Sequence, residues 1–427
     1  MKKFINLSIV LVTIIFCFGS CLKDVGKKHC QIYTPIIETT SSLRAKVKSV
    51  SPMDVANAGK LFVLGNIVFL NEKEKGIHVI DNSNPGSPVN KAFIAIPGNT
   101  DLWVNNNVLY ANCYTDFLAI DIADINNIVI TKVIEDIFND LRFINGYSIA
   151  QGSVVTGWNV KDTSMEIEIS EGQGIWSNGK YITNNWGGGI VLSGGPATTS
   201  NPTSSQSSST GKAGSMSRFA GVNNYLYAVS NSTLNAIDIS ASKQPVISNK
   251  LSIGWNIETI YPLKDKLFIG SQNGMSIYSL SVPTQPTYIS GFSHARLCDP
   301  VIADDNYAYI TLHAGTFCEG TQNELDIVNI SNLSSPTLVK QVNLTKPQGL
   351  SKDGNILFVC DDNAGIRVFD ATNPENPVLL KTIPLASAYD VICDNGIAMV
   401  SAKDGLHQYN YSNINNIVKL SSFLFAH

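Results

Sequence analysis

An all-β fold, built from one small unit repeated many times, is the class predicted by three features of this 427-residue sequence. The first is a frame that returns about every forty residues. The second is a succession of short apolar runs parted by Asn, Ser and Gly, the mark of many strands joined by many turns. The third is a charged content of only 15%, against roughly 25% in soluble domains, with no long amphipathic helical pattern.

The frame is clearest at Gly76-Ile77-His78-Val79-Ile80-Asp81, with Pro88 following. It returns at Asp116–Asp121, Gly189–Gly194, Thr233–Asp238 with Pro245, Gly274–Ser279 with Pro286, Glu324–Asn329 with Pro336, Gly365–Asp370 with Pro377, and Gly405–Asn410. Each residue type has a physical task. Gly opens the strand where the preceding turn needs positive φ. Alternating apolar residues turn one face of the strand into a buried layer. Asp, Asn or Ser at the strand end accepts hydrogen bonds from the next turn. The Pro cannot donate to a ladder, so it belongs at the start of an edge strand.

Two further short strands precede each anchor, as at Ile356–Cys360 and Ile397–Ser401. Four strands over about forty residues describe a propeller blade. Anchors at 81, 121, 194, 238, 279, 329, 370 and 410 predict a β-propeller of eight four-stranded blades. Seven is the alternative, because the third unit lacks both Asp and Pro.

The repeat, Gly-apolar-x-Val-x-Asp followed by Asn-Pro, resembles the LVIVD repeat. Gly76 to Pro85 and Gly365 to Pro374 are the best matches. Most of the chain is similar to the LVIVD-containing propeller lipoproteins of Bacteroidetes. The resemblance implies a propeller and no agreed activity.

The N-terminus reads as an address. Met1-Lys2-Lys3 is basic, Phe4 to Phe18 is almost wholly apolar, and Gly19-Ser20-Cys21 closes the run. This is a secretory signal, too short to span a bilayer. Phe18-Gly19-Ser20-Cys21 resembles a relaxed bacterial lipobox, which implies cleavage before Cys21 and lipid on that residue. Several acyl chains would hold a membrane stably. Lys23-Asp24 resembles the Lys-acidic signal for surface export, leaving open the periplasmic or cell-surface face of the outer membrane. The expected layout is a signal peptide over 1–20, a lipid-anchored tether over 21–49 and the propeller over 50–427. Residues 195–217, almost all Gly, Ser, Thr and Pro, are expected to form a disordered loop.

Candidate chemistry is sparse. Net charge is −4, and with no basic stripe a nucleic-acid partner is excluded. No Gly-x-Ser-x-Gly, His-Glu-x-x-His, phosphate loop or Cys-x-x-Cys occurs, so no catalytic residue, cofactor or metal ligand is assigned. Cys298 and Cys318 both belong to the unit anchored at 329, and an oxidising compartment favours a disulfide between them. Cys360 and Cys393 lie on regular strands and read as buried thiols. His78 and His407 share one repeat position, which marks a structural place.

Acids recur about twenty residues before the anchors, at Asp101, Glu258, Asp299 and Asp390, with Arg218 and Gln348 near equivalent places. Innermost strands begin there. These side chains either ring a ligand or cation site at one channel mouth, or bond to neighbouring blades and close the ring. The five tryptophans either form a sugar-stacking face or pack between blades. Two functions are compatible with this set. One is a non-enzymatic binding or scaffold protein for carbohydrate or an envelope protein. The other is a hydrolase or lyase acting on polysaccharide at the channel mouth.

Overall fold

A computed structural model describes residues 27–144, 147–166, 174–183, 211–293, 300–314 and 322–424. The chain divides into two units, one of residues 1–37 and 155–190, the other of 38–154 and 191–427.

The larger unit is the propeller. Its described residues hold seven sheets with four consecutive antiparallel strands at their centre, and a two-stranded ladder of Phe143–Ile144 with Tyr147–Ser148. We number the seven sheets as blades 1 (58–95), 2 (102–134), 3 (219–252), 4 (257–293), 5 (301–343), 6 (350–383) and 7 (388–424). The first strands of neighbouring blades contact one another in cyclic order, and that of blade 7 returns to that of blade 1. Among the described residues these seven sheets follow one another in a closed cycle. The frame at 194 on which an eighth blade rested lies outside the described residues.

Each repeat residue performs the task expected of it. Gly76 and Gly365 have φ of 149° and 87°. A Cβ at either would stand 2.1 or 2.2 Å from the carbonyl oxygen of Ile94 or Ile383 in the outer strand, so close approach adds to the φ requirement. Asp81, Asp121, Asp238, Asn329, Asp370 and Asn410 each accept the backbone N–H two residues on, at 2.8–3.1 Å. Pro88, Pro245, Pro286, Pro336 and Pro377 immediately precede outer strands. Asn410→Ala should therefore cost about 0.5–1.5 kcal/mol, while Asn410→Asp keeps the acceptor and most of the stability. Urea denaturation of the pair is the check, and equal losses would show that the turn does not need the acceptor.

Blade packing explains the composition. Third strands such as Gly76–Asp81 and Glu324–Asn329 are buried on both faces because sheets flank them on either side. Polar residues within them, such as His78, Glu324 and Asp326, are buried with the apolar ones. Outer strands such as Val246–Ser252 alternate in exposure, since only one face is covered. In every blade the register against the outer strand shifts by a bulge near the middle of the third strand, as at Val79/Ile80 and Val368/Phe369. The bulge raises local twist where the blade fans outward. Nothing in the apolar pattern announced it.

Blade 1 and blade 7 each take all four strands from one stretch of chain, so no exchanged strand seals the ring. The seam is held by an apolar cluster that includes Leu61, Leu70, Ile392 and Leu406. A reciprocal pair of amide bonds joins Asn82 to Gln408 at 3.0 and 2.6 Å. Ser421 Oγ also donates to Pro85 O at 2.6 Å.

Two expected boundaries change. The tether over 21–49 contains ordered elements: strand Lys27–Thr39, helix Thr40–Arg44 and strand Lys48–Val50. The last pairs with Phe93 to Ala95 and covers the open edge of blade 1. Leu43 is buried in the core, and Arg44 reaches the buried Asp116. The loop over 195–217 is described only from 211, and from there to 217 it is built into the propeller. Lys212–Ala213 adds to the first strand of blade 1, opposite Val63 and Phe62.

The smaller unit is a four-stranded sheet in the order Ser153–Glu166, Lys27–Thr39, Lys180–Thr183, Gly174–Ser177. Trp158, Tyr33, Tyr181 and Trp176 form a closed circuit of ring contacts with centroids 5.6–6.5 Å apart.

Candidate functional site

The first strands bring the candidate residues to the propeller axis, where a segment of the chain already lies. After Ala213, Gly214 N donates to Leu61 O at 2.7 Å in blade 1. Ser215 N donates to Asp390 Oδ1 of blade 7 at 2.9 Å, and Ser215 Oγ accepts Leu350 N of blade 6 at 2.6 Å. Met216 is fully buried. Ser217 O accepts Ile260 N of blade 4 at 3.1 Å, and Ser217 Oγ donates to Asp101 Oδ1 beside blade 2 at 3.2 Å. Arg218 donates from Nη2 to Ile257 O at 3.1 Å before the chain enters blade 3. Residues 214–218 thus bond to five blades and occupy the axis at this level.

Small residues are required on this path. A Cβ at Gly214 would lie 2.1 Å from Asp390 Oδ2, and one at Gly349 would lie 2.5 Å from Asp390 Oδ1. The composition that suggested disorder is the composition that lets the segment pass.

Asp101 and Asp390 come together around a residue that the sequence reading missed. Lys60, on the first strand of blade 1, is 3% exposed, and its Nζ donates to Asp101 Oδ2 at 2.6 Å. Asp101 also accepts Leu102 N at 2.7 Å and the backbone N–H of Arg218. Burial lowers the Lys60 ammonium pKa, and the Asp101 carboxylate opposes that shift. Lys60 stands before its anchor at the same spacing as the acids, so the offset would have found it had cations been searched as well.

Asp390 is fully buried. Its Oδ1 accepts both Ser215 N and Val391 N at 2.9 Å, while Oδ2 has no partner. Burial raises its pKa to about 7, against the opposing hydrogen bonds and the more distant Lys60 charge. Glu258 is buried at the start of blade 4 and takes Gln272 Nε2 at 3.1 Å, away from the Asp101 group. Asp299 lies outside the described residues. Gln348 is 8% exposed and places its backbone oxygen on Thr311 Oγ1 at 2.7 Å. Of the two readings of the acids, the bonds of Asp101 and Asp390 are those of ring closure.

The remaining candidates are structural where they are described. His78 spans Glu72 and Asn90 at 2.8 and 3.2 Å. His407 spans Asp404 and Ser422 at 2.9 and 3.1 Å, and Arg367 spans Asp361 and Thr382 at 3.1 Å. One repeat position therefore carries a polar bridge from an acid to the outer strand. Cys113, Cys360 and Cys393 are buried thiols, and burial raises Cys113 and Cys393 to about 12. Cys21, Cys298 and Cys318 lie outside the described residues. Trp103 packs between blades 1 and 2, its ring 5.0 Å from Phe62, whereas Trp255 is 71% exposed. Among the described residues no group of three or more His, Cys, Asp or Glu is poised for a metal.

Residues 56–94 and 298–344 match the LVIVD repeat family. The chain matches no curated protein. Among solved structures it is similar to the computationally designed Ika8 protein, with TM-score 0.50 and 9% identity over 87% of this chain and 89% of that one. It is similar to the periplasmic gluconolactonase PpgL of Pseudomonas aeruginosa, with TM-score 0.50 and 10% identity over 86% and 96%. It is also similar to PorZ, a surface component of the type-IX secretion system of Porphyromonas gingivalis, with TM-score 0.51 and 10% identity over 89% of this chain and 40% of PorZ. At such identities the likeness shows the fold, and propellers serve many functions.

Proposed function

We propose that this chain is a non-enzymatic binding or scaffold lipoprotein of the outer membrane, anchored through lipid on Cys21 and presenting the loop faces of its propeller to carbohydrate or an envelope protein. The observation that carries this reading is the filled axis. Asp101 and Asp390, the carboxylates best placed for acid–base work on a sugar, hold residues 215–218 and Lys60 instead. The signal-like N-terminus and the likeness to LVIVD-containing lipoproteins of Bacteroidetes support the anchor. A polysaccharide hydrolase or lyase is the second reading, and the observation favouring it is Asp390, whose pKa near 7 suits a general acid.

One experiment separates the two. The full chain is incubated with a panel of envelope polysaccharides and new reducing ends are measured, in parallel with alkyne-fatty-acid labelling of the wild type and Cys21→Ser. The binding reading expects label on the wild type alone and no turnover. Reducing ends released by the wild type and lost in Asp390→Asn would overturn it in favour of the enzyme. Equal labelling of both chains would remove the anchor.

A further inference from the structure

The face of the propeller carrying the turns between first and second strands holds a cavity of about 600 Å³ over blades 4 to 7. Its apolar lining includes the buried Leu263 and Ile302, from the first strands of blades 4 and 5. Its walls are largely polar and come from Asp304 to Tyr307, Lys352 to Asn355 and the loop from Ala371 to Pro374, with Lys212 and Asn395 beside them. This volume falls within the roughly 300–1,000 Å³ of small-molecule sites.

Most charge in the walls is paired, including Asp305 with Lys264 at 2.6 Å, but the bond to Asp353 comes from a neutral hydroxyl. Lys352 Nζ meets Asp304 Oδ2 at 3.0 Å and donates to Gly354 O at 2.6 Å. Lys212 bonds to Asp394. Asp353 Oδ2 accepts the Tyr411 hydroxyl at 2.6 Å. Asp304 also accepts the Tyr309 hydroxyl and the backbone N–H groups of Asn306 and Tyr307, at 2.9–3.0 Å. The Asp353 carboxylate would repel an anionic ligand. A neutral ligand rich in hydroxyls would find fixed acceptors and donors, since a carboxylate holding one donor keeps lone pairs for more. Asp353 Oδ1 is such an acceptor, and Asn355 stands exposed at the rim beside it.

We infer that this cavity is a binding site for a neutral, hydroxyl-rich ligand of the glycan class. The inference rests on the binding reading above and gives it a location away from the axis. The ligand hydroxyls bond to Asp353 and the adjoining rim amides, and its apolar C–H face lies against the Leu263 and Ile302 lining.

The test uses the full chain on a printed array of neutral, sialylated and uronate-bearing oligosaccharides. The strongest neutral hit is then titrated calorimetrically into wild type, Asn355→Trp and Asp353→Asn. Asn355 is exposed and lies outside the residues that favour positive φ, so the Trp variant should fold and fill the mouth. The expected result is binding confined to neutral glycans, weakened at least about tenfold by Asn355→Trp at unchanged melting temperature. Binding untouched by Asn355→Trp would overturn the site, as would capture of acidic glycans alone or a blank array with folded protein. A blank leaves the scaffold reading to protein partners, whereas turnover of a glycan would overturn that reading itself.

Discussion

Asp101→Ala should lower the stability of the full chain by about 3–5 kcal/mol, the penalty for leaving one partner of a buried ion pair behind. Lys60 and Asp101 are 3% and 2% exposed, so water cannot take over the lost contact. The same substitution orphans Leu102 N and Arg218 N and takes one acceptor from Ser217 Oγ, which keeps Phe219 O at 2.7 Å. Two of these belong to the segment that crosses the axis, so the loss reaches beyond blade 2. Burial already pushes the Lys60 pKa down, and without Asp101 nothing nearby of comparable strength opposes that push.

A second variant separates the ion pair from simple packing. Lys60→Met with Asp101→Leu replaces the pair by apolar groups of similar bulk, which buried pairs often tolerate. The double variant should recover part of the loss, giving a coupling energy on the order of 1–3 kcal/mol. Urea denaturation of the two single variants and the double gives the cycle. A loss below about 1 kcal/mol in Asp101→Ala would mean that the axis segment is held by other contacts.

How much of this was legible follows from which residues are tied to the backbone. Gly76, Asp81 and Pro88 each answer a local demand, respectively close approach to Ile94, the Ser83 N–H and an undonated edge. Such demands recur with every blade, so the repeat and the four-strand unit stood out. The axis segment did not. Gly214 and Ser215 are small because Asp390 and Leu350 leave no room, and composition alone cannot tell a chain that must be slim from one that cannot fold. The strand at Lys27–Thr39 was missed for the opposite reason: it belongs to a sheet outside the repeat and shares none of its frame. The seven anchors other than 194 each end the third strand of a blade, and the frame at 194, which lacks the Asp and Pro, lies outside the described residues.

Asp390→Asn should gain stability over the wild type as pH rises, and the sign follows from the direction of the Asp390 shift. Its folded pKa is about 7 against the usual 3.8. Below about pH 4 both folded and unfolded chains hold this proton and no penalty applies. Between about 4 and 7 the unfolded chain releases it while the folded chain keeps it, so wild-type stability falls with rising pH. Above about 7 the folded carboxylate ionises and the full penalty, on the order of 4 kcal/mol, persists. Tyr389 and Cys360 interact with the same carboxylate, but burial raises both well above this range, and the Lys60 charge acts to lower the Asp390 pKa. Asn removes the charge and keeps an acceptor for Ser215 N and Val391 N. Urea titrations at pH 5 and pH 8 should therefore show the variant gaining several kcal/mol relative to the wild type between them. Parallel curves would mean that Asp390 titrates near the ordinary carboxylate range, which requires water at Oδ2 and an axis more open than the bonds of residues 214–218 allow. The same experiment thus reads out whether the channel is filled in solution, the observation on which the proposed binding role rests.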